Sequence, residues 1–210
     1  MKGGIVMRIM GKGVPLLAAA LLAGCVSVGV GGGGKGPTQL ITLTAESTAP
    51  AGNIGSGSLA DALVVLDPDT DRRLDVQRVP VQVDDSTLAY LQNAAWVERP
   101  ARQFRRLLAE TIRARGNRLV LESSDDETGG RITLSGRLLE MGYDARASSV
   151  IVRFDAVRKH PNGQLEARRF ESVVPGIAPK AAEVSPALNR AANDVARQVS
   201  DWVTGAAPAS

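Results

Sequence analysis

Apolar and polar residues alternate along several stretches of the chain, a pattern typical of β-strands that bury one face. The longest of these stretches are 131–143, 148–157 and 165–174. The last two are joined by a turn sequence containing Asn162-Gly163, and Asn-Gly is the strongest short-range signal for a β-hairpin. We therefore expect these three stretches to form an antiparallel meander, with Gly136 marking a bulge in the first of them.

Shorter runs come before the meander. We predict strands at 62–66, 74–83, 87–91, 94–98 and 119–121. Pro80 interrupts the second run, and because proline cannot donate to a strand ladder, that strand should bend or lie at a sheet edge. These runs extend the meander to an antiparallel sheet of about six strands.

Two further stretches have apolar residues at helical spacing. In the helix predicted over 101–115, the apolar stripe consists of Phe104, Leu107, Leu108 and Ile112. The second helix is predicted from Ser185 and Pro186, which suit an N-cap and a first helical position, to Gly205. The predicted fold class is therefore α+β, with an antiparallel sheet of about six strands and two helices packed on one face.

Residues 1–24 have the layout of a secretory signal. Three basic residues precede an apolar run at 14–23, which is shorter than the roughly 20 residues that a membrane span requires. The run ends at Leu22-Ala23-Gly24-Cys25, which resembles a bacterial lipobox. That resemblance implies cleavage between Gly24 and Cys25 and acylation of Cys25. An ordinary signal peptide followed by a chance cysteine is the alternative, and the true start is Met1, Met7 or Met10.

Glycine and other small residues dominate the next segment, 25–58, which includes four consecutive glycines. Such a composition cannot bury enough apolar surface to become ordered, so we predict a flexible tether. The tether has room for one short strand, at 40–43. The folded domain is then predicted over 59–205, followed by a disordered tail at 206–210.

The formal charge of +3 comes from the signal segment. That segment has three of the 25 basic residues and none of the 22 acidic ones, so the chain from Cys25 onward has 22 of each. A neutral mature chain without a nucleic-acid motif has no charge excess with which to bind phosphate backbones. We therefore predict no nucleic-acid partner.

Catalytic and metal-binding side chains are scarce in the sequence. Cys25 and His160 are the single cysteine and the single histidine of the chain, which argues against a nucleophilic dyad and against a zinc site. The acidic runs 67–71 and 125–127 lack the glycine and the distal carboxylate of a calcium loop. We predict no catalytic residues, no metal, no cofactor and no enzymatic activity.

Several local motifs together resemble a known family. They are the strand entering Val79-Pro80, the stretch from Ala94 through Trp96 to Pro100, the lipobox, and the alanine-rich last helix with Trp202-Val203. This combination resembles the ABC-type transport auxiliary lipoproteins of the PqiC (YmbA) type, over about residues 63–205. One departure is the strand after the lipobox, where the family often has Tyr-x-Leu and this chain has Leu40-Ile41-Thr42-Leu43.

The resemblance implies a non-enzymatic, lipid-anchored component of an envelope lipid transport system. Its implied partners are an MCE-domain protein and the associated ABC transporter components, and its implied location is the periplasmic face of the outer membrane. Val26 after Cys25 favours outer-membrane sorting. A homo-oligomer is compatible with this role. A lipoprotein that itself carries a lipid or hydrophobic ligand is the alternative.

The first predicted helix also supplies candidate contact residues. We predict partner binding at Trp96, Arg102, Arg105 and Arg106. The alternative for these arginines is a solvated helix face that is partly neutralised by Glu110.

Overall fold

Three long strands and two helices form the main body of the domain in the computed structural model, which describes residues 39–52, 55–58, 61–115, 118–123 and 131–205. The elements are β1 (Gln39–Ile41), β2 (Leu63–Leu66), β3 (Asp69–Thr70), β4 (Pro80–Gln82), β5 (Leu88–Tyr90), β6 (Ala94–Trp96), α1 (Pro100–Arg113), β7 (Val120–Ser123), β8 (Ile132–Asp144), β9 (Ser149–Lys159), β10 (Leu165–Pro175) and α2 (Ala181–Thr204). The predicted signal segment, the tether up to residue 38 and the tail at 206–210 lie outside the described residues.

The sheet has eight strands, and its main path runs β10-β9-β8-β2-β7. The predicted antiparallel meander is confirmed in β8, β9 and β10. The rest of the sheet is mixed, because β2 pairs in parallel with both β7 and β8, whereas β4 pairs antiparallel with β5. The chain passes through α1 between β2 and β7, and a helical crossover of this kind brings the second strand back parallel to the first. The α+β class is confirmed, and the sheet is mixed.

The long central strand β8 pairs with one strand along one edge and with three short strands along the other. Antiparallel β9 occupies one edge of β8, while β2, β3 and β4 pair in succession along the other edge. The register of β8 against β9 shifts between Leu138 and Glu140. The bulge therefore lies two to three residues after Gly136. At Gly136 a Cβ atom would lie 2.1 Å from the carbonyl oxygen of Asp155, so glycine is required there by the close approach of β9.

The two helices pack against each other and on the sheet, α1 over β2 and β7 and α2 over β8, β9 and β10. Their contact residues form one apolar core with the inward-facing side chains of the strands. Phe104 of α1 meets Phe154 of β9 edge to face, with ring centroids 5.3 Å apart. Four buried alanines at 187, 191, 192 and 196 let α2 lie close to its neighbours.

The helix boundaries differ from the prediction at both ends of α1 and at the start of α2. Helix α1 begins at Pro100 and ends at Arg113, with Ala114 as its C-cap. Helix α2 begins at Ala181, four residues before the predicted N-cap, and the Ser185 hydroxyl donates to the carbonyl of Ala181 inside its first turns. Pro186 is the sixth residue of the helix, so it removes the N–H that would bond the carbonyl of Ala182. The predicted end at Gly205 is confirmed by its left-handed φ of 72°.

The predicted strand at 74–83 is mostly a series of turns. Only Pro80–Gln82 forms a strand, with Pro80 as its first residue. The Asp71 carboxylate accepts the backbone N–H of Arg73 at 3.1 Å, and the Asp71 carbonyl accepts those of Leu74 and Asp75, both at 3.1 Å. This local turn outweighs the alternating pattern, because Asp readily hydrogen-bonds its own backbone two residues on.

The N-terminal part of the described chain lies on the domain, although the sequence predicted a tether up to residue 58. Strand β1 pairs in parallel with β6 from Gln39 to Ile41, one residue before the short strand predicted at 40–43. The chain then crosses both helices. The N–H groups of Leu43 and Ala49 donate to side chains of α1, at 2.9 and 2.8 Å. The domain therefore includes residues from Gln39 onward.

Candidate interaction surface

The predicted cleavage and lipidation residues, Gly24 and Cys25, lie outside the described residues. Lipidation at Cys25 therefore stays a prediction. The geometry bears on the predicted contact residues, Trp96 at the end of β6 and the three arginines of α1.

Trp96 is a core residue. Only 1% of its surface is exposed, and its backbone N–H donates to the carbonyl of Gln77 at 3.0 Å. Ala94, two residues earlier on the same strand face, is buried as well. A side chain at this depth cannot contact a partner, so the structure corrects the contact expected at Trp96. The alternation at 94–98 already indicated that these two residues share the buried face.

Arg102 and Arg106 are the exposed members of the predicted set. Their side chains retain 60% and 52% of their accessible surface, and both lie beside Glu98 just before the helix. Arg102 lies 3.6 Å from Glu98, and Arg106 forms an ion pair with the same carboxylate. This group has two positive charges and one negative charge at the surface near the N-terminus of α1.

Arg105 binds inside the domain instead. Its side chain is 17% exposed, and its guanidinium lies 3.1 Å from Asp67, after β2, and 3.3 Å from Glu122 of β7. It also donates to the carbonyl of Ser123 at 3.4 Å. Arg113, two turns further along the helix, pairs with Glu122 at 2.9 Å and donates to the carbonyl of Val120 at 3.3 Å. These two arginines attach α1 to β7.

Four polar side chains that the sequence did not single out hold the N-terminal segment 43–49. They are Gln103 and Glu110 of α1 and Asn189 and Asn193 of α2. Asn193 both accepts from the N–H of Glu46 and donates to the carbonyl of Thr44, each at 2.9 Å. The available signal was the pair of asparagines four residues apart, which share one side of a helix.

Charged residues form two rows across the sheet face that points away from the helices. In the first row Arg137 of β8 lies opposite Asp155 of β9, and Asp155 lies opposite Arg169 of β10. Arg169 binds Asp155 through two bonds of 2.6 and 2.7 Å. We name this surface the outer face, defined by the alternate residues 151, 153, 155, 157 and 159 of β9.

The second row has the opposite signs. Glu140 of β8 lies opposite Arg153 of β9, and Arg153 lies opposite Glu171 of β10, with which it forms an ion pair. Each row therefore alternates in sign from strand to strand, which is the favourable arrangement for residues directly opposite each other.

A family model for ABC-type transport auxiliary lipoprotein components matches residues 42–200. The chain belongs to this family. The match includes residues 42–52, in agreement with their position on the domain, and it extends along α2 to Ser200. The comparison with curated proteins gave no match.

Solved structures share the fold of this family member. The crystal structure of an uncharacterised protein has a TM-score of 0.61 and 15% sequence identity, covering 79% of this chain and 98% of that one. A DUF330-family protein from Xanthomonas campestris has a TM-score of 0.60 and 17% identity, covering 81% of this chain and 95% of that one. At these identities the similarity concerns the fold.

Basic neighbours lower the pKa of several carboxyl groups of the auxiliary domain. The bond from Arg169 lowers the pKa of Asp155, the bond from Arg146 lowers the pKa of Asp144, and bonds from Arg158 and His160 lower the pKa of Glu166. A general acid needs a pKa raised toward neutrality, and these carboxyl groups are shifted the other way. In the described part of the chain, no group of three or more His, Cys, Asp or Glu side chains is placed to hold a metal ion.

A depression on the outer face is small and polar. It has a volume of about 250 Å³, and its lining includes Arg73, Glu140, Asp144, Arg146 and Arg153. Three more open depressions of the described surface are larger, about 440–510 Å³, and each is lined in part by charged residues. Sites for hydrophobic ligands are mainly apolar. Within the described ranges, no helix has both the length and the apolar character needed to cross a membrane. The auxiliary domain thus offers charged surface for binding.

Proposed function

We propose that this auxiliary lipoprotein is a lipid-anchored periplasmic component of an ABC/MCE-type envelope lipid transport system, and that it acts by protein–protein binding at the outer membrane. The family match over residues 42–200 is the observation that carries the proposal. The lipobox-like Leu22-Ala23-Gly24-Cys25 supports the anchor. The resemblance to PqiC-type proteins supports an MCE-domain protein as the partner.

Arg102 and Arg106 are the proposed contact residues on α1. Both are more than half exposed and share one carboxylate, that of Glu98. Exposed ion pairs contribute little to folding, typically less than about 1 kcal/mol, so these arginines are free to exchange Glu98 for a partner's acidic groups at small cost. Arg105 is excluded from this set because it binds Asp67 and Glu122 within the domain.

The contact is tested by co-purification of the MCE-domain protein from membranes with the double variant Arg102→Glu/Arg106→Glu. Charge reversal should lower recovery of the partner at least roughly tenfold at low salt, because two favourable charges become repulsive. The control is Arg190→Glu, which reverses an exposed arginine on α2. Equal recovery with the double variant and the control would remove α1 from the interface.

The anchor is tested with Cys25→Ser, followed by incorporation of labelled palmitate and by membrane fractionation. The variant should incorporate no label and should leave the membrane fraction, because two or more acyl chains are what gives firm membrane attachment. Ser27→Ala is the matched control and should behave as the parent chain. Labelled Cys25→Ser would show that the acylated residue lies elsewhere.

Lipid extraction separates docking from the carrier alternative. A docking component purified in its folded state should contain no stoichiometric phospholipid, since the depressions of the described surface are open and lined in part by charged residues. One or more phospholipids retained per chain after gel filtration would favour the carrier.

A further inference from the structure

Strand β10 forms a long regular edge of the sheet. It spans eleven residues and pairs with β9 along its whole length without a register shift. Among the described residues β9 is its one strand neighbour. Over the same residues, the one side-chain donor to the β10 backbone is Gln198 of α2, which reaches the carbonyl of Glu171 at 3.1 Å. A long edge without a bulge is a template for pairing with another strand.

The two charged rows of the outer face end at this edge with opposite signs. The first row, Arg137–Asp155–Arg169, ends in a positive charge, and the second, Glu140–Arg153–Glu171, ends in a negative one. Arg169 and Glu171 are two residues apart on β10, with Phe170 between them. On the outer face, the edge therefore has one charge of each sign, placed symmetrically about one residue.

From this arrangement we propose that two copies of the chain pair through β10, antiparallel and about a twofold axis at Phe170. In that register Arg169 lies opposite Glu171 of the second copy, and Glu171 lies opposite Arg169. The first row of one copy then continues into the second row of the other, so that six charges alternate in sign across the joined sheet. Antiparallel pairing between identical strands is the isologous contact that a twofold dimer requires.

The neighbouring positions fit the same register. On the outer face Ala167 lies opposite Val173, and Leu165 lies opposite Pro175, so that apolar residues meet apolar residues. Leu165 and Val173 are 63% and 47% exposed in the single chain, and pairing gives both an apolar neighbour across the interface. Each apolar or opposite-charge cross-strand pair contributes roughly 0.2–1 kcal/mol.

The charges of an edge strand also serve to prevent association, most often as like charges that repel a second copy. The β10 edge differs from that pattern because its outward charges on the outer face are one arginine and one glutamate. A neutral pair of this kind repels a strand paired in the wrong register and attracts an identical strand centred on Phe170. A second copy is therefore the occupant that the charges select.

The proposal is tested by reversing the charges of Arg169 and Glu171 in separate variants. Arg169→Glu gives two acidic residues on the edge and Glu171→Arg gives two basic ones, so each variant alone should be monomeric. Mixing the two variants restores both cross-strand pairs and should give a heterodimer. We expect the dissociation constant of each variant's homodimer to rise at least roughly tenfold, because two attractive pairs become two repulsive ones.

Native mass spectrometry of the full chain purified in detergent supplies the measurement, with variants distinguished by isotope labelling. Arg137→Glu is the matched control: it also reverses an arginine opposite Asp155, but it lies two strands away from the edge, so its dimer should persist. Circular dichroism checks that all variants are folded. A monomeric parent chain overturns the proposal, as do dimers or larger assemblies that are unaffected by both charge exchanges.

Hydrogen exchange independently tests whether the contact between the two copies lies at β10. Amides of residues 165–175 should become more protected as the concentration of the parent chain rises, and this gain should vanish in Arg169→Glu. If protection of β10 appears only after another protein is added, the occupant is a strand of that protein and the twofold dimer is wrong. This inference does not depend on the proposed transport role, because every measurement uses the purified chain.

Discussion

The two outer edges of the sheet, β7 and β10, use arginine in different ways. At β7 the guanidinium groups of Arg105 and Arg113 donate to the backbone carbonyls of Ser123 and Val120. At β10 the arginine on the outer face, Arg169, binds Asp155 of the neighbouring strand instead. The first arrangement covers backbone acceptors, whereas the second leaves the edge backbone to solvent or to another strand.

Length explains why both arrangements occur in one sheet. Strand β7 has four residues, and two long side chains of the helix that packs over it contact backbone carbonyls at both of its ends. Strand β10 has eleven residues, and α2 reaches its edge with Gln198 alone among the described residues. An edge that the chain cannot cover is available for binding, and the contrast therefore separates a structural edge from an interacting one.

Gly136→Ala should have the largest effect on stability. It disturbs β8, the central strand that lies between the two edge strands β10 and β7. A Cβ atom would lie 2.1 Å from the carbonyl oxygen of Asp155, and Gly136 has a φ of 154°. We expect the free energy of unfolding to fall by about 3 kcal/mol or more. Chemical denaturation measures it. Gly163→Ala, with φ of 85° and open space around the added atom, is the control and should cost about 1 kcal/mol.

Arg105→Met should have the next largest effect on stability. It should act only on the contacts that α1 makes with Asp67 and β7. It leaves Asp67 and part of the charge of Glu122 without a partner in a half-buried site. The free energy of unfolding should fall by about 1–3 kcal/mol. Arg106→Met, which removes an exposed ion pair of the same helix, should change it by less than about 0.5 kcal/mol. Equal losses in the two variants would contradict the structural role of Arg105.

Acid titration should show a smaller effect, located near the β10 edge. Because Arg169 lowers the pKa of Asp155, this pair stabilises the folded state fully above the ordinary carboxyl pKa of about 4. The contribution is lost as the pH falls through the lowered pKa. Asp155→Asn should therefore be less stable than the parent chain at pH 7 and should lose less stability between about pH 4 and pH 2. Parallel pH curves for the two proteins would contradict the assignment.

Gln198→Ala should have the smallest effect. It removes the donor to the carbonyl of Glu171 at an exposed site, so the free energy of unfolding should fall by at most about 0.5 kcal/mol. Thermal unfolding at a chain concentration too low for pairing is the measurement. A loss as large as that of Arg105→Met would mean that the β10 edge is covered as effectively as the β7 edge.

The sequence predicts those elements whose apolar period repeats several times. The meander and both helices were found because 11 to 13 residues of alternation or several helical turns leave little choice of structure. Parallel pairing of β2 was missed because four consecutive buried residues show no period that distinguishes a parallel from an antiparallel neighbour. The strand predicted at 74–83 failed because the turn at Asp71 competes locally with the alternating pattern.

The candidate contact residues were also predicted only in part from the sequence. The helical spacing of α1 placed its arginines off the apolar stripe, but it could not tell that Arg105 faces Asp67, a residue 38 positions earlier in the chain. Likewise, no local pattern indicates that Asn193 binds a segment about 150 residues away. Such pairings depend on tertiary contacts, which periodicity does not encode.

The attachment of residues 43–49 to the two helices has a mechanical consequence. If Cys25 anchors the domain as proposed, a pull on the N-terminus loads β1 first and this segment next, before it reaches β2. The segment is fastened by hydrogen bonds from the backbone of Leu43, Thr44, Glu46 and Ala49 to helix side chains, each worth about 1 kcal/mol. These bonds can break one after another under load and lengthen the chain by several residues. Tension is then relieved at the cost of the core contacts of Ile41, Leu43 and Ala45, while the pairing of β2 and the later strands is kept.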